Sequence, residues 1–356
     1  LFFWKSTFDN YLYARYIDGS GNFPIAWVSQ QIVNSTNQVH VNSNGASMKA
    51  YKINNETVVA WLGTDQRVYA NKINLALIGC GYWGSKLLPY LQAHPGFRVR
   101  HICDDKTDME KVWDRVEAVV VATPMDTHYQ LVKEALQRKK DVFCEKPLVF
   151  KTEEGEELKQ LSESQGVVLL TDYTWTFSRA LARAKRIDIG LIKAVEIDMK
   201  QLGRFLHWDV YWVLGSHALS MLDMFVPLGT LKFAKVDIFQ DRGLAESGLI
   251  LFESRQMKGR IMVSLNYPGK EVRMVLYGRR GTIVYEPFAS ETLRVGWYKK
   301  TKGKVAKELL TKTESYRFDE MNNLKEAVNY FYRLLRGKVK SNMERAISVT
   351  RILEHL

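Results

Sequence analysis

Apolar positions along the chain fall into patterns that predict different elements. Continuous apolar runs bounded by turn residues read as strands buried on both faces, the mark of a parallel sheet. Leu75-Ala76-Leu77-Ile78, Ala118-Val119-Val120-Val121-Ala122 and Asp141-Val142-Phe143-Cys144 are of this kind, and Phe97 to Cys103 and Val167 to Leu170 are further strands. Between them lie helical stretches: Leu87, Leu88 and Leu91, then Asp108 to Val116, Thr127 to Arg138 and Glu153 to Gln165. Strands alternating with helices of this length predict a doubly wound parallel sheet. Pro89 falls inside the first helix, removes a hydrogen bond and is expected to kink or shorten it. Between Asp105 and Glu117 either the expected strand is missing or residues are absent from the sequence.

Beyond Asp172 the period changes. Ala180 to Ile187 and Asp209 to Phe225 read as helices, and Ile192 to Met199 alternates like a strand. Five more alternating segments follow: Phe233 to Phe239, Gly248 to Phe252, Gly259 to Leu265, Val272 to Leu276 and Thr282 to Tyr285. With short turns between them they predict a mostly antiparallel sheet. Met321, Leu324, Val328, Phe331 and Leu335 then mark one face of an amphipathic helix, stopped by Gly337. Ser341 or Asn342 is expected to cap a last helix running to Leu356.

Residues 1–72 show little helical period. Val39 to Val41, Ser47 to Tyr51, Thr57 to Leu62 and Arg67 to Ala70 read as short strands joined by Asn- and Gly-rich turns. The expected organisation is a β-rich module at 1–72, a nucleotide-binding domain at 73–171 and an α+β domain at 172–356. The helices from about 318 to 356 are expected to pack back on the middle domain. The module's role is not legible; a structural or oligomerising one is the default.

Composition narrows the class. The chain has 356 residues, 46% hydrophobic and 25% charged, which is enough for two domains with real cores. No apolar run approaches the length that crosses a bilayer. The opening L-F-F-W-K lacks a charged n-region, so no signal peptide is expected. Three cysteines, Cys80, Cys103 and Cys144, fit a reducing cytoplasm better than a disulfide framework. A formal net charge of +12 raises nucleic acid as a partner, but no basic helix interleaved with aromatics and no zinc spacing accompany it. The Lys299, Lys300, Lys302, Lys304, Lys307 cluster reads as a solvated hairpin or loop. A basic surface also suits an anionic substrate such as a nucleotide-linked sugar.

The candidate chemistry begins at Ile73 to Gly84, I-N-L-A-L-I-G-C-G-Y-W-G. Gly79, Gly81 and Gly84 have the spacing that permits a tight turn, backbone approach to a pyrophosphate, and close packing of the next helix. Asp104 lies 20 residues past Gly84, where a carboxylate takes ribose hydroxyls and repels a 2′-phosphate. Glu145-Lys146-Pro147 ends a parallel strand, the edge at which such sheets bind ligands. Lys146 can donate to a substrate hydroxyl, or it can be a strand-end lysine in solvent. His217 can take a hydroxyl proton near pH 7, or it can be an ordinary helix histidine.

At these residues the sequence resembles the glucose-fructose oxidoreductase and inositol dehydrogenase (Gfo/Idh/MocA) family. The resemblance runs from Ile73 to Leu356. It is carried by G-C-G-Y-W-G, by V-V-V-A-T-P with Thr127-His128, by E-K-P, by Asp172-Tyr173-Thr174, by Leu202-Gly203-Arg204, by W-x-L-G-S-H and by G-R-R-G-T. It implies an α/β chain: an N-terminal Rossmann domain, then an α+β domain with an open sheet that often forms an oligomer interface. It implies Lys146 as the active-site lysine and His217 as the proton-transfer histidine, with Tyr173, Arg204 and Asp209 near the substrate. Gly79, Gly81, Tyr82, Trp83 and Gly84 would line the cofactor, with Asp104, Thr123, Pro124, His128, Glu145 and Lys146. Three positions depart from the family pattern: Val213 and Ser220 stand where many members carry Asp, and Tyr173 where the nearest relatives often carry His.

The expectation is therefore a cytoplasmic oxidoreductase using NAD in preference to NADP, with no metal. Its substrate would be a sugar or nucleotide-sugar, as in surface-polysaccharide biosynthesis. It would be a homo-oligomer, dimer or tetramer, with neither nucleic acid nor membrane as partner. The rival reading, favoured by Val213, is a sensor or scaffold that binds NAD and sugar without turnover.

Overall fold

The computed structural model describes residues 72–356 except 204, 301–307, 320 and 321, and the course of six strands within residues 1–71. Contacts divide the chain into two compact units: Leu1–Ile73 with Pro95–Arg98, and Asn74–His94 with Val99–Leu356. In the first, the strands are β1 (Phe2–Lys5), β2 (Tyr11–Arg15), β3 (Val28–Gln31), β4 (Met48–Ile53), β5 (Glu56–Leu62) and β6 (Val68–Ala70). They form an antiparallel sheet of order β3-β2-β1-β4-β5-β6. The strands expected at 47–51, 57–62 and 67–70 correspond to β4, β5 and β6, while residues 39–41 lie outside the described ones.

The glycine-rich turn follows β7 (Ile73–Ile78) and opens α1 (Gly84–Ala93). Next come β8 (Phe97–Cys103), α2 (Glu110–Trp113), β9 (Ala118–Val121), α3 (His128–Gln137), β10 (Asp141–Glu145), α4 (Thr152–Gln165) and β11 (Leu169–Asp172). The sheet order is β11-β10-β9-β7-β8, with parallel pairing of β7, β9, β10 and β11. Leu75, Leu77, Val119, Val120 and Val142 are buried from both sides, as their unbroken apolar runs require. Only α2 bridges β8 and β9, which leaves β8 at the margin of the sheet. Its alternating burial suits an edge.

Helix α1 is not cut short at Pro89. It runs ten residues, straight through Pro89 to Ala93. Pro89 and Ser85, whose carbonyl loses its partner, are both exposed, so water can take the lost bond. Buried Leu87 and Leu91 hold the helix on the sheet.

The second half comprises α5 (Arg179–Ala184), β12 (Ile192–Leu202), a π-helical turn at Tyr211–Gly215 that leads into α6 (Ser216–Asp223), and a run of strands. These are β13 (Lys232–Asp241), β14 (Leu244–Glu253), β15 (Lys258–Ser264), β16 (Asn266–Gly278), β17 (Gly281–Tyr285), β18 (Leu293–Lys300) and β19 (Glu308–Tyr316). The eight-stranded order is β13-β14-β15-β12-β16-β17-β18-β19, antiparallel except for β12 with β15. β18 and β19 extend the sheet beyond the strands read from the sequence.

Two helices, α7 (Asn323–Leu335) and α8 (Met343–His355), return to the Rossmann sheet. Phe331 meets Phe143 edge-on with ring centres 5.5 Å apart, and Glu354 accepts the Thr152 N–H at 2.9 Å. Asn342 precedes α8 but does not cap it with its side chain. Its amide instead accepts from Thr171 N at 3.0 Å and donates to Thr171 O at 2.7 Å. This side chain thus serves the open margin of β11, where the Ser341 hydroxyl also donates to the Leu169 carbonyl, in place of a helix cap.

Phe331 is 0% exposed and bridges a returning helix to β10. Phe331→Ala should therefore cost about 3–5 kcal/mol in a denaturant titration, the range for a large aromatic removed from a packed core.

Candidate active-site cleft

Three glycines shape the turn after β7, each for a different reason. Gly79 has φ +86°, and a β-carbon there would sit 2.8 Å from the Ala122 carbonyl oxygen. At Gly84 a β-carbon would lie 2.0 Å from the Gly79 oxygen, so only glycine lets α1 start against the turn. At Gly81 nothing stands within 4 Å: the backbone faces open space. That space is a cavity of about 1150 Å³, walled by the Rossmann half on one side and by β12, β16 and α6 on the other. It exceeds the roughly 300–1,000 Å³ of an ordinary ligand pocket, room for a dinucleotide and a second molecule together.

The residues expected to hold a cofactor converge here. Gly79, Gly81, Tyr82, Trp83 and Asp104 lie on the cavity wall, and so do Thr123, Pro124, His128, Glu145 and Lys146. Gly84 does not line it; it serves by packing. Asp104 sits just past β8 with its Oδ1 pinned by the Thr107 hydroxyl at 2.9 Å and the Lys106 N–H at 3.1 Å. The Thr107 bond, then the Lys106 one, hold the carboxyl below its usual range, so it is ionised. His128 is fully buried beneath the wall, its Nδ1 2.7 Å from the Pro147 carbonyl and its Nε2 3.0 Å from that of Thr123. Burial pushes its pKa down.

Lys146 and His217 face the same cavity from the two halves. The lysine is 9% exposed, and its Nζ donates to the main-chain carbonyl of Val213 at 2.7 Å. Burial lowers its pKa from 10.5 to about 8, against the pull of Glu145 and Asp172. His217 is 8% exposed; burial first, then the charges of Lys146 and Lys270, push its pKa well below 6.5. It is therefore neutral at pH 7. Among the described residues nothing bonds its Nδ1, so no carboxylate fixes the tautomer.

Two residues expected near the substrate stand elsewhere. Tyr173 is 0% exposed in the core and absent from the cavity wall. Asp209 accepts from Tyr211 N at 2.9 Å and Ala245 N at 3.4 Å, so it caps the π-helical turn that carries the chain toward His217. Arg204 lies outside the described residues. The cavity has walls that sequence reading passed over: Trp175, Lys200 paired with Glu271 at 3.1 Å, and Lys270. Phe205, with φ +60°, meets Tyr82 edge-on at 6.2 Å, and Trp208 stacks on Phe150 at 5.2 Å. Aromatic runs offered a signal for the last two. A lysine on a sheet strand offered none.

The doubly wound sheet, its glycine turn and the adjoining open sheet define an NAD(P)-binding Rossmann protein with a second α+β domain. Residues 105–173 match the model of the Gfo/Idh/MocA oxidoreductase family, described as an NAD-binding Rossmann fold. Over 140 residues it is 29% identical to the 2,7-anhydro-N-acetylneuraminate hydratase of Mediterraneibacter gnavus, covering 35% of this chain and 37% of that one. The chain spans 22–42% of the length of the curated relatives it matches. Among solved structures it resembles the UDP-N-acetylglucosamine 3-dehydrogenase GnnA of Acidithiobacillus ferrooxidans, with TM-score 0.67, 14% identity, and 79% and 95% of the two chains covered. It also resembles KijD10, a 3-ketoreductase of Actinomadura kijaniata with NADP and TDP-benzene, at TM-score 0.64 and 17% identity over 80% and 97%. At these identities the structures share the fold.

The glycines make separable predictions. Gly81→Ala should fold and melt like the parent yet bind NAD(H) at least about tenfold more weakly, because its methyl occupies the cofactor's approach. Gly84→Ala should lower the melting temperature as well, since α1 must move off the turn. Calorimetric titration alongside thermal melts separates the two.

Proposed function

We propose that the chain is an NAD(P)-dependent oxidoreductase acting at a hydroxyl-bearing carbon of a sugar, in particular a nucleotide-linked one. The observation that carries this reading is the meeting of Lys146 and His217 at one cavity beside an open glycine turn. When bound, the nicotinamide would supply the hydride acceptor or donor. The residues that would hold the dinucleotide are the turn at Gly79 and Gly81, the ionised Asp104 and the Thr123-Pro124 corner. An ionised carboxylate at that position favours NAD over NADP.

Neutral His217 takes the hydroxyl proton during oxidation and returns it during reduction. Lys146 keeps N–H donors beyond the one spent on Val213, and these hold and polarise the reacting oxygen. Burial of both groups excludes water from the reacting carbon and strengthens each interaction. Lys270 and the cation-rich composition suit a phosphate-bearing substrate. The pathway reading, sugar modification for surface polysaccharide, rests on the resemblance of the C-terminal motifs. A homo-oligomer is supported by Val236, Ile238 and Phe239, apolar and exposed on the edge strand β13. A second reading, binding without turnover, draws on the Lys146–Val213 bond and the missing carboxylate at position 213.

The experiment is a panel of sugar nucleotides and their keto forms with NAD(H) and NADP(H), followed by reduced-nicotinamide absorbance. Lys146→Ala and His217→Ala should each lower kcat/KM by about 10²–10⁴-fold with the circular dichroism unchanged. Full activity in Lys146→Ala removes the assignment, and cofactor binding without turnover on any substrate favours the second reading. In the active protein, kcat/KM should fall as pH rises through about 8, because the required ammonium loses its proton there and not near 10.5. Asp104→Ala should shift preference toward NADP(H).

A further inference from the structure

The reaction proposed above needs Lys146 to carry its proton, and the cleft solvates that charge poorly. The Val213 carbonyl is an acceptor without formal charge. A buried ammonium with no counter-charge gives up its proton instead. The groups able to neutralise it lie on the sheet. β10 and β11 pair in parallel with Glu145, the residue before Lys146, opposite Asp172.

Asp172 is 0% exposed and Glu145 5%. Among the described residues, no donor bonds Oε1 of Glu145. Two ionised carboxylates here would be a pair of buried like charges, with the Thr174 hydroxyl as a side-chain donor to Asp172. A single proton between them removes one charge and turns one carboxyl into a donor for the other. Burial raises the pKa of both groups, and for Glu145 the charge of Asp172 adds to it.

We propose that Glu145 and Asp172 share one proton and present a single negative charge to Lys146, which makes Asp172 a positioning residue for the lysine. The other groups around them do not offer a negative charge. His128 and His217 are held neutral, first by burial. Lys270 is a cation whose charge reaches His217. Cys144 is kept a neutral thiol, first by burial, and the Thr174 hydroxyl beside Asp172 carries no charge. The lysine and the carboxyl pair together are neutral, the condition under which buried charges persist.

This rests on reading Lys146 as the charged donor, but its test needs no substrate. Competitive acetylation with acetic anhydride, read by mass spectrometry on the Lys146 peptide across pH, reports the lysine's own titration. Glu145→Gln and Asp172→Asn each leave one carboxylate, which ionises, so the Lys146 midpoint stays near that of the parent. The double variant has no counter-charge, and the midpoint should fall by about 1–3 units. An unchanged double variant overturns the proposal, and so do single variants that each shift by half the double's change. Should the double variant not fold, infrared spectra of the parent at pH 7 decide the matter. A protonated-carboxyl stretch that disappears in Asp172→Asn upholds the shared proton, and its absence from the parent overturns it. Because labelling and infrared need no turnover, the expected pattern upholds the pair even if no sugar is oxidised.

Discussion

A cation kept out of water organises this molecule. Lys146 leaves the end of β10, crosses to the carbonyl of Val213 in the other half, and is nearly sealed from solvent. Burial lowers its affinity for a proton, and its own charge in turn discourages protonation of His217. The same desolvation therefore acts on both groups that face the cavity. On a surface both would titrate near their ordinary values.

The scaffolding that keeps the lysine there is spread across the chain. The returning helices α7 and α8 clamp the Rossmann sheet through Phe331 on Phe143, the Asn342 amide on β11, and Glu354 on the start of α4. Asp209 caps the π-helical turn, and the Tyr211 hydroxyl, bonded to Asp237 at 2.7 Å, pins that turn to β13. Phe331 on Phe143 and the Tyr211–Asp237 bond each tie an element that bears a cleft residue to one that bears none.

Sequence reading succeeded where a constraint is local. The steric demands of Gly79 and Gly84 act over a few residues, and the unbroken run Ala118 to Val121 has no other reading than a strand buried on both faces. The missing strand between Asp105 and Glu117 was visible for the same reason. It failed where the outcome depends on what lies across the fold. Nothing in the spacing says that Tyr173 turns into the core or that Asp209 turns to a helix end. β18 and β19 carry lysines, threonines and glutamates that dilute the alternation, and only pairing, of β18 with β17 and of β19 with β18, makes them strands. The apolar face of α1 overrode Pro89, whose local cost falls on exposed backbone.

His128 carries a consequence for the mechanics of the cleft. A neutral imidazole owns one N–H, yet two carbonyls, of Thr123 and Pro147, press on its two nitrogens. Only one can be served at a time, and the other confronts a lone pair. The chain segments that follow β9 and β10 are thereby set in competition for a single hydrogen, and the tautomer alone decides to which of them the ring is tied.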